Sequence, residues 1–259
     1  MARLPRIPDL LTTANLACGV ASILLASQGQ LTWACWLVFA GALFDVFDGL
    51  AARALGGGTP LGAQLDSLAD MVTFGVAPGM LVGMSFLHNS ISPDDTVEFA
   101  FYAMANKSAL HLVSILLTVL IIPIASAWRL AKFNIDTRQS TGFLGLATPA
   151  NAMFWASVCL VFHPGWRLLP YPQKLVSMVL AGPPITLTVS ILLAACMLSS
   201  IPLPSLKFKH MGWKGNEVIY LLLGIGAVLV VLYGVLAVPL ILVIYLLSPL
   251  WGRLFPKVL

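Results

Sequence analysis

Apolar stretches long enough to cross a bilayer recur along this chain, and they leave it few ways to fold. They lie at roughly 10–28, 31–54, 61–87, 109–133, 145–162, 178–201, 217–233 and 235–250. A helix needs about 20 residues to cross the hydrocarbon core. Backbone N–H and C=O groups in lipid must be paired within the segment, so these runs are expected to be helices. A 59% hydrophobic fraction with only 9% charged residues excludes an ordinary soluble domain. The expected fold is an all-α, polytopic membrane bundle of about eight transmembrane helices, with residues 1–259 as a single integral-membrane domain. The last two runs are separated only by a tight turn near Gly234, so six or seven spans is the alternative count.

The placement of the basic residues predicts an orientation. With the N-terminus inside, the inner segments carry Arg3, Arg6, Arg53, Arg129, Lys132, Arg138, Lys207, Lys209, Lys214, Arg253 and Lys257. The outer segments keep Lys107, Arg167 and Lys174. This asymmetry fits both termini in the cytoplasm. It also accounts for the basic residues without a nucleic-acid partner. Met1 to Leu10 is expected along the inner interface rather than across it. Arg3 and Arg6 before an apolar run also fit a cleaved signal peptide, but cleavage would remove the polar Thr12, Thr13 and Asn15. Cys18, Cys35, Cys159 and Cys196 are isolated, so neither a disulfide framework nor a zinc site is indicated.

Four aspartates break the apolar pattern: Asp45, Asp48, Asp66 and Asp70. An ionised side chain within a span costs on the order of 3 kcal/mol, so each is a functional candidate. Residues three and four apart share a helix face. Asp45, Asp48, Gly49 and Ala52 thus form one stripe, and Gly62, Asp66 and Asp70 another. A short glycine-rich connection makes the two helices antiparallel neighbours, and facing stripes would bring four carboxylates together. Such a group needs counter-charge. Arg53 supplies one positive charge, and hard oxygen ligands suit Mg²⁺ or Mn²⁺. Gly49, Ala52 and Gly62 leave room for a ligand against the backbone. Two ions could neutralise a pyrophosphate and assist displacement at phosphorus, which suggests a phosphorylated lipid substrate. The other readings are ion pairs that fix helix packing, for which only Arg53 is near in sequence, and a carboxylate-lined cation transporter.

These residues spell D-x-x-D-G-x-x-A-R, then G-x-x-x-D-x-x-x-D, in Asp45, Asp48, Gly49, Ala52, Arg53, Gly62, Asp66 and Asp70. In this the chain resembles the CDP-alcohol phosphotransferase family of integral membrane enzymes. The resemblance implies a metal pair held by Asp45, Asp48, Asp66 and Asp70, with Asp70 also the general base. It implies attack of an acceptor hydroxyl on the phosphorus distal to cytidine, with CMP leaving. It further implies a homodimer whose site opens to the cytoplasm. The nucleotide side falls to Asp48, Gly49, Ala52, Arg53 and Gly62. Thr12 and Asn15 are added as contacts to cytidine or phosphate, with helix capping and interhelical hydrogen bonding as their alternative use.

Beyond the motif, Phe74-Gly75, Ala77-Pro78, Arg129-Leu-Ala-Lys132-Phe133-Asn134 and the stretch Gly142 to Ala150 are similar to membrane-embedded bacterial phosphatidylserine synthases. Those enzymes usually carry proline where this chain has Ala147. The similarity implies CDP-diacylglycerol as donor, L-serine as acceptor and the bacterial cytoplasmic membrane as location. Serine's carboxylate needs a cation, and Arg129, Lys132 and Arg138, with Asn134, are the candidate acceptor-binding residues. Their alternative use is positive-inside anchoring. Glycerol 3-phosphate or inositol phosphate would equally call for these cations.

Overall fold

The computed structural model describes residues 6–88, 108–135, 143–162, 182–203 and 217–254. The apolar runs form helices: α1 (Ile7–Ser27), α2 (Leu31–Ala54), α3 (Pro60–Asp70), α4 (Ala77–His88), α5 (Ala109–Ile135), α6 (Thr148–Phe162), α7 (Pro183–Leu198), α8 (Glu217–Tyr233) and α9 (Ala237–Leu254). A π-helical turn, Met71–Val76, joins α3 to α4, so residues 60–88 form one rod. The expected all-α membrane bundle is the fold found. Among the described residues five segments are long and apolar enough to cross a membrane, the last being 220–248, while α6 and α7 are apolar but shorter. That last segment is a hairpin. A side chain placed on Gly226 of α8 would meet Ile241 of α9 at 3.4 Å, so the helices fold back about the 3₁₀ turn Gly234–Leu236.

Several boundaries depart from the sequence reading; the run read as 178–201 is helical only over Pro183–Leu198 among the described residues, and that read as 235–250 runs over Ala237–Leu254. Residues 7–10, expected along the interface, already belong to α1, whose first turn carries Pro8. Helix α6 starts at Thr148 rather than 145, because Phe143–Leu144 pairs with Pro202–Leu203 as a two-residue antiparallel ladder. Gly145 then turns the chain at φ +72°, and a Cβ there would meet the Cys196, Met197 and Ser199 carbonyls at 2.7–2.9 Å. Leu146 N–H donates to the Cys196 carbonyl at 3.0 Å, which satisfies part of the open end of α7.

The core gathers around α6. Trp155, Phe74, Leu81, Leu146 and Leu160 are fully buried there. Polar residues in the helices are mostly self-satisfied: Ser85, Ser114, Thr118, Ser126 and Ser190 each donate to the carbonyl four residues back. Pro123 lacks the N–H that would pair with the Val119 carbonyl. Gly79 of α4 closes on that carbonyl, where a Cβ would come to 3.0 Å.

Candidate active site

Local signals set the site end of α2 and α3. Helix α2 stops where Gly57 N–H donates back to the Ala52 carbonyl at 2.8 Å, with Gly56 at φ +88°. Thr59 then caps α3, its hydroxyl accepting from Gly62 N–H at 2.9 Å with Pro60 in the first turn. The two helices are antiparallel, as the short connection implied, but they do not pack closely on each other. Helix α1 packs along both of them, and α2 otherwise packs mainly on α6 and α4. The two motif stripes therefore face across a gap.

Three of the four motif carboxylates meet in that gap. Asp45, Asp48 and Asp66 each offer an oxygen, and these oxygens lie within 4.8 Å of one another. Asp48 is buried, and its Oδ2 accepts from the Thr12 hydroxyl at 2.7 Å. Asp66 Oδ1 is buried with no hydrogen-bond partner among the described residues. Three crowded carboxylate oxygens, on residues that include one buried and unpartnered Asp66 oxygen, form a donor set that fits a hard divalent cation. The helix-packing reading built on Arg53 does not fit, because Arg53 is exposed in the last turn of α2, where it complements the helix dipole.

A cavity of about 210 Å³ adjoins the cluster. Of the residues expected on the nucleotide side, Thr12, Asp48, Gly49, Ala52 and Gly62 line it, together with Asp66. Arg53 and Asn15 do not. A Cβ on Gly49 would meet nothing nearer than the Arg53 guanidinium at 4.0 Å, so the wall there is open. Arg6, Asp9 and Thr59 also line the cavity and were not anticipated. The available signal was the start of α1, where Arg6 N–H donates to Asp9 Oδ2 at 3.0 Å. An acid three residues into a helix with proline in its first turn marks such a start. Both α1 and α3 begin at this cavity, so their unpaired N–H groups and positive dipole ends favour an anion.

Asp70 stands apart from the cluster. It is buried one turn beyond Asp66, within electrostatic reach of Asp45, Asp66 and Asp48. Its Oδ1 accepts from Asn15 Nδ2 at 3.1 Å. The π turn begins at the next residue, and such turns are frequent at functional sites.

The candidate acceptor residues sit elsewhere. Arg129 is buried; its Nε donates to the Leu146 carbonyl at 3.2 Å, and its guanidinium lies 5.6 Å from the Phe133 ring centroid. Lys132 is exposed and reaches the Leu198 carbonyl at 3.4 Å. Asn134 Nδ2 donates to Ser67 Oγ at 2.9 Å, next in sequence to Asp66. Arg138 lies outside the described residues.

The profile of the family described as CDP-alcohol phosphatidyltransferase matches residues 6–201. Over 226 residues the chain is 31% identical to a CDP-diacylglycerol–serine O-phosphatidyltransferase of Helicobacter pylori, covering 86% of this chain and 81% of that protein. It is 33% identical over 155 residues to the enzyme of that name from Bacillus subtilis, covering 60% of this chain and 73% of the relative. An archaetidylserine synthase of Methanothermobacter thermautotrophicus is 33% identical over 156 residues, covering 60% of this chain and 58% of that protein.

Proposed function

This chain belongs to the CDP-alcohol phosphatidyltransferase family, and we propose that it transfers the phosphatidyl group of CDP-diacylglycerol to L-serine, giving phosphatidylserine and CMP. The observation that carries the reading is the cluster of Asp45, Asp48 and Asp66 oxygens, within 4.8 Å of one another beside a cavity where two helices begin. The names of the relatives favour serine as the acceptor.

The chemistry follows from the arrangement. Asp45, Asp48 and Asp66, with Asp70, are the residues that would hold Mg²⁺ or Mn²⁺, as two ions, and bound ions would supply charge neutralisation for the diphosphate. Thr12 fixes the Asp48 carboxylate. The starts of α1 and α3 and the Arg6 side chain favour phosphate oxygens in the cavity, and Gly49, Ala52 and Gly62 admit the nucleotide. Asp70 takes the proton of the serine hydroxyl as that oxygen bonds to the phosphorus bearing diacylglycerol. The bond from that phosphorus to the CMP oxygen breaks, and CMP leaves with the electron pair. On the acceptor side, Arg129, Lys132 and Asn134 are the groups proposed for the serine carboxylate. The enzyme is taken to be a homodimer in a bacterial cytoplasmic membrane with this site facing inward.

The test is an assay with purified protein, CDP-diacylglycerol and Mg²⁺ or Mn²⁺. Serine, glycerol 3-phosphate and inositol phosphate are offered separately, and CMP release is measured. Release with serine and its loss on chelation is the expected result. Release only with a phosphorylated alcohol would overturn the acceptor and leave the rest of the mechanism standing.

A further inference from the structure

Asn15 was expected to touch the nucleotide, yet it is fully buried and does not line the cavity. Among the described residues its side chain makes one hydrogen bond, from Nδ2 to Asp70 Oδ1 at 3.1 Å. Its backbone carbonyl accepts from the Thr73 hydroxyl at 2.9 Å, inside the π turn that follows Asp70. Its Oδ1 has no partner. That oxygen rests against α2, where a Cβ on Gly41 would come to 2.9 Å. A Cβ on Gly19 would overlap the Thr73 hydroxyl and reach its Cα at 2.8 Å. Missing side chains on α1 and α2 thus let Asn15 and Thr73 come together.

We propose that Asn15 is a positioning residue that sets the orientation of the Asp70 carboxylate, with Thr73 locking the π turn to α1. With Asp70 ionised, as a base must be, the amide points one way: reversed, its oxygen would face a carboxylate oxygen at hydrogen-bond distance. The buried, unpartnered Oδ1 is a standing cost. An apolar side chain of the same size would avoid that cost, so packing alone does not account for an amide here. What the amide alone provides is a donor to one oxygen of Asp70, which leaves the other oxygen to the reaction. The inference rests on the proposed role of Asp70 as the base.

The experiment compares Asn15→Ala, Asn15→Leu, Asn15→Asp, Thr73→Val and Asp70→Asn with the wild type. Four quantities are read: kcat, the KM for CDP-diacylglycerol, CMP binding by calorimetry, and the melting temperature in detergent. A misplaced base should lower kcat about tenfold or more in Asn15→Ala and Asn15→Leu. The donor KM and CMP affinity should stay within about twofold, because uniform binding is untouched. Asn15→Asp should lose more, since it sets a carboxylate against Asp70. Should the Asn15 variants fail to fold, Thr73→Val keeps the shape and removes only the lock, and a smaller fall in kcat is expected. A folded Asn15→Ala with wild-type kcat, or one that weakens CMP binding while holding kcat, would overturn the inference. So would an unchanged kcat in Thr73→Val if no Asn15 variant folds. Asp70→Asn separates the two layers. Full turnover there would sink the base assignment itself, whereas a dead Asp70→Asn beside a fully active Asn15→Ala would sink only the role of Asn15.

Discussion

The Thr12 hydroxyl donates to Asp48 Oδ2 across 2.7 Å, joining the first turns of α1 to the last turns of α2 inside the carboxylate gap. The same hydroxyl lies 3.0 Å from the Pro8 carbonyl, so its single proton has two acceptors and the charged one is the stronger. This bond fixes the plane of the Asp48 carboxylate and so where its oxygens point into the cluster.

Thr12→Val should therefore raise the Mg²⁺ or Mn²⁺ concentration needed for half-maximal CMP release. A hydrogen bond to a charged group is worth about 1.5–3 kcal/mol, so the shift should be roughly ten- to a hundredfold, and Thr12→Ser should recover most of it. A metal titration of the three proteins checks this. An unshifted Thr12→Val curve would mean that the hydroxyl does not hold Asp48 for the ion.

Asp66→Asn tests the cluster by two routes at once. It should abolish CMP release, since ligand carboxylates act as a unit. It should also raise the metal-free melting temperature by about 2–4 °C, because one of three like charges within 4.8 Å is gone. Divalent ions should stabilise the wild type far more than this variant. Active Asp66→Asn protein, or an equal metal-induced rise in both, would argue against a metal site.

Much of this site was legible in local sequence. Apolar runs gave the helices, the motif gave the carboxylates, and Thr59-Pro60 before Gly62 marked the start of α3. Helical periodicity assigns faces, but it does not say which faces meet. It put all four aspartates on two opposed stripes, whereas α1 packs along both helices and holds α2 and α3 apart. Only three oxygens close up, and Asp70 is bonded to Asn15 instead. Arg129 looked like an anion-binding residue from its neighbours. Its bond to the Leu146 carbonyl depends on where the turn before α6 packs, and no short window contains that. The ladder between Phe143–Leu144 and Pro202–Leu203 is hidden for the same reason.

Orientation is open to a direct measurement. Tags at both termini should be accessible only from the cytoplasmic side, because the segments proposed to lie inside hold most of the Lys and Arg residues. The site end of α2 and α3 would face the same side, so a cysteine placed at exposed Gly58, where a side chain meets nothing within 4 Å, should label from the cytoplasm in intact cells only with a permeant reagent. Opposite sides for the two termini would require an odd number of spans.

Arg129 joins the acceptor proposal to the packing. Its Nε–H satisfies the Leu146 carbonyl, and its guanidinium lies near the face of Phe133. Removing it leaves a carbonyl orphaned in the core, at a cost of about 1–3 kcal/mol, so Arg129→Ala should melt earlier than wild type. Lysine has no planar fork with which to replace the Nε–H bond and should restore little of that stability. The acceptor role predicts a separate effect. In the folded fraction, the serine KM should rise roughly ten- to a hundredfold if a charge-assisted bond to the carboxylate is lost, while the KM for CDP-diacylglycerol stays near its wild-type value. Substrate titrations well below the melting temperature separate the two effects. A lower melting temperature with an unchanged serine KM would make Arg129 an anchor for the turn before α6 and would move the search for the serine carboxylate partner to Lys132 and Asn134.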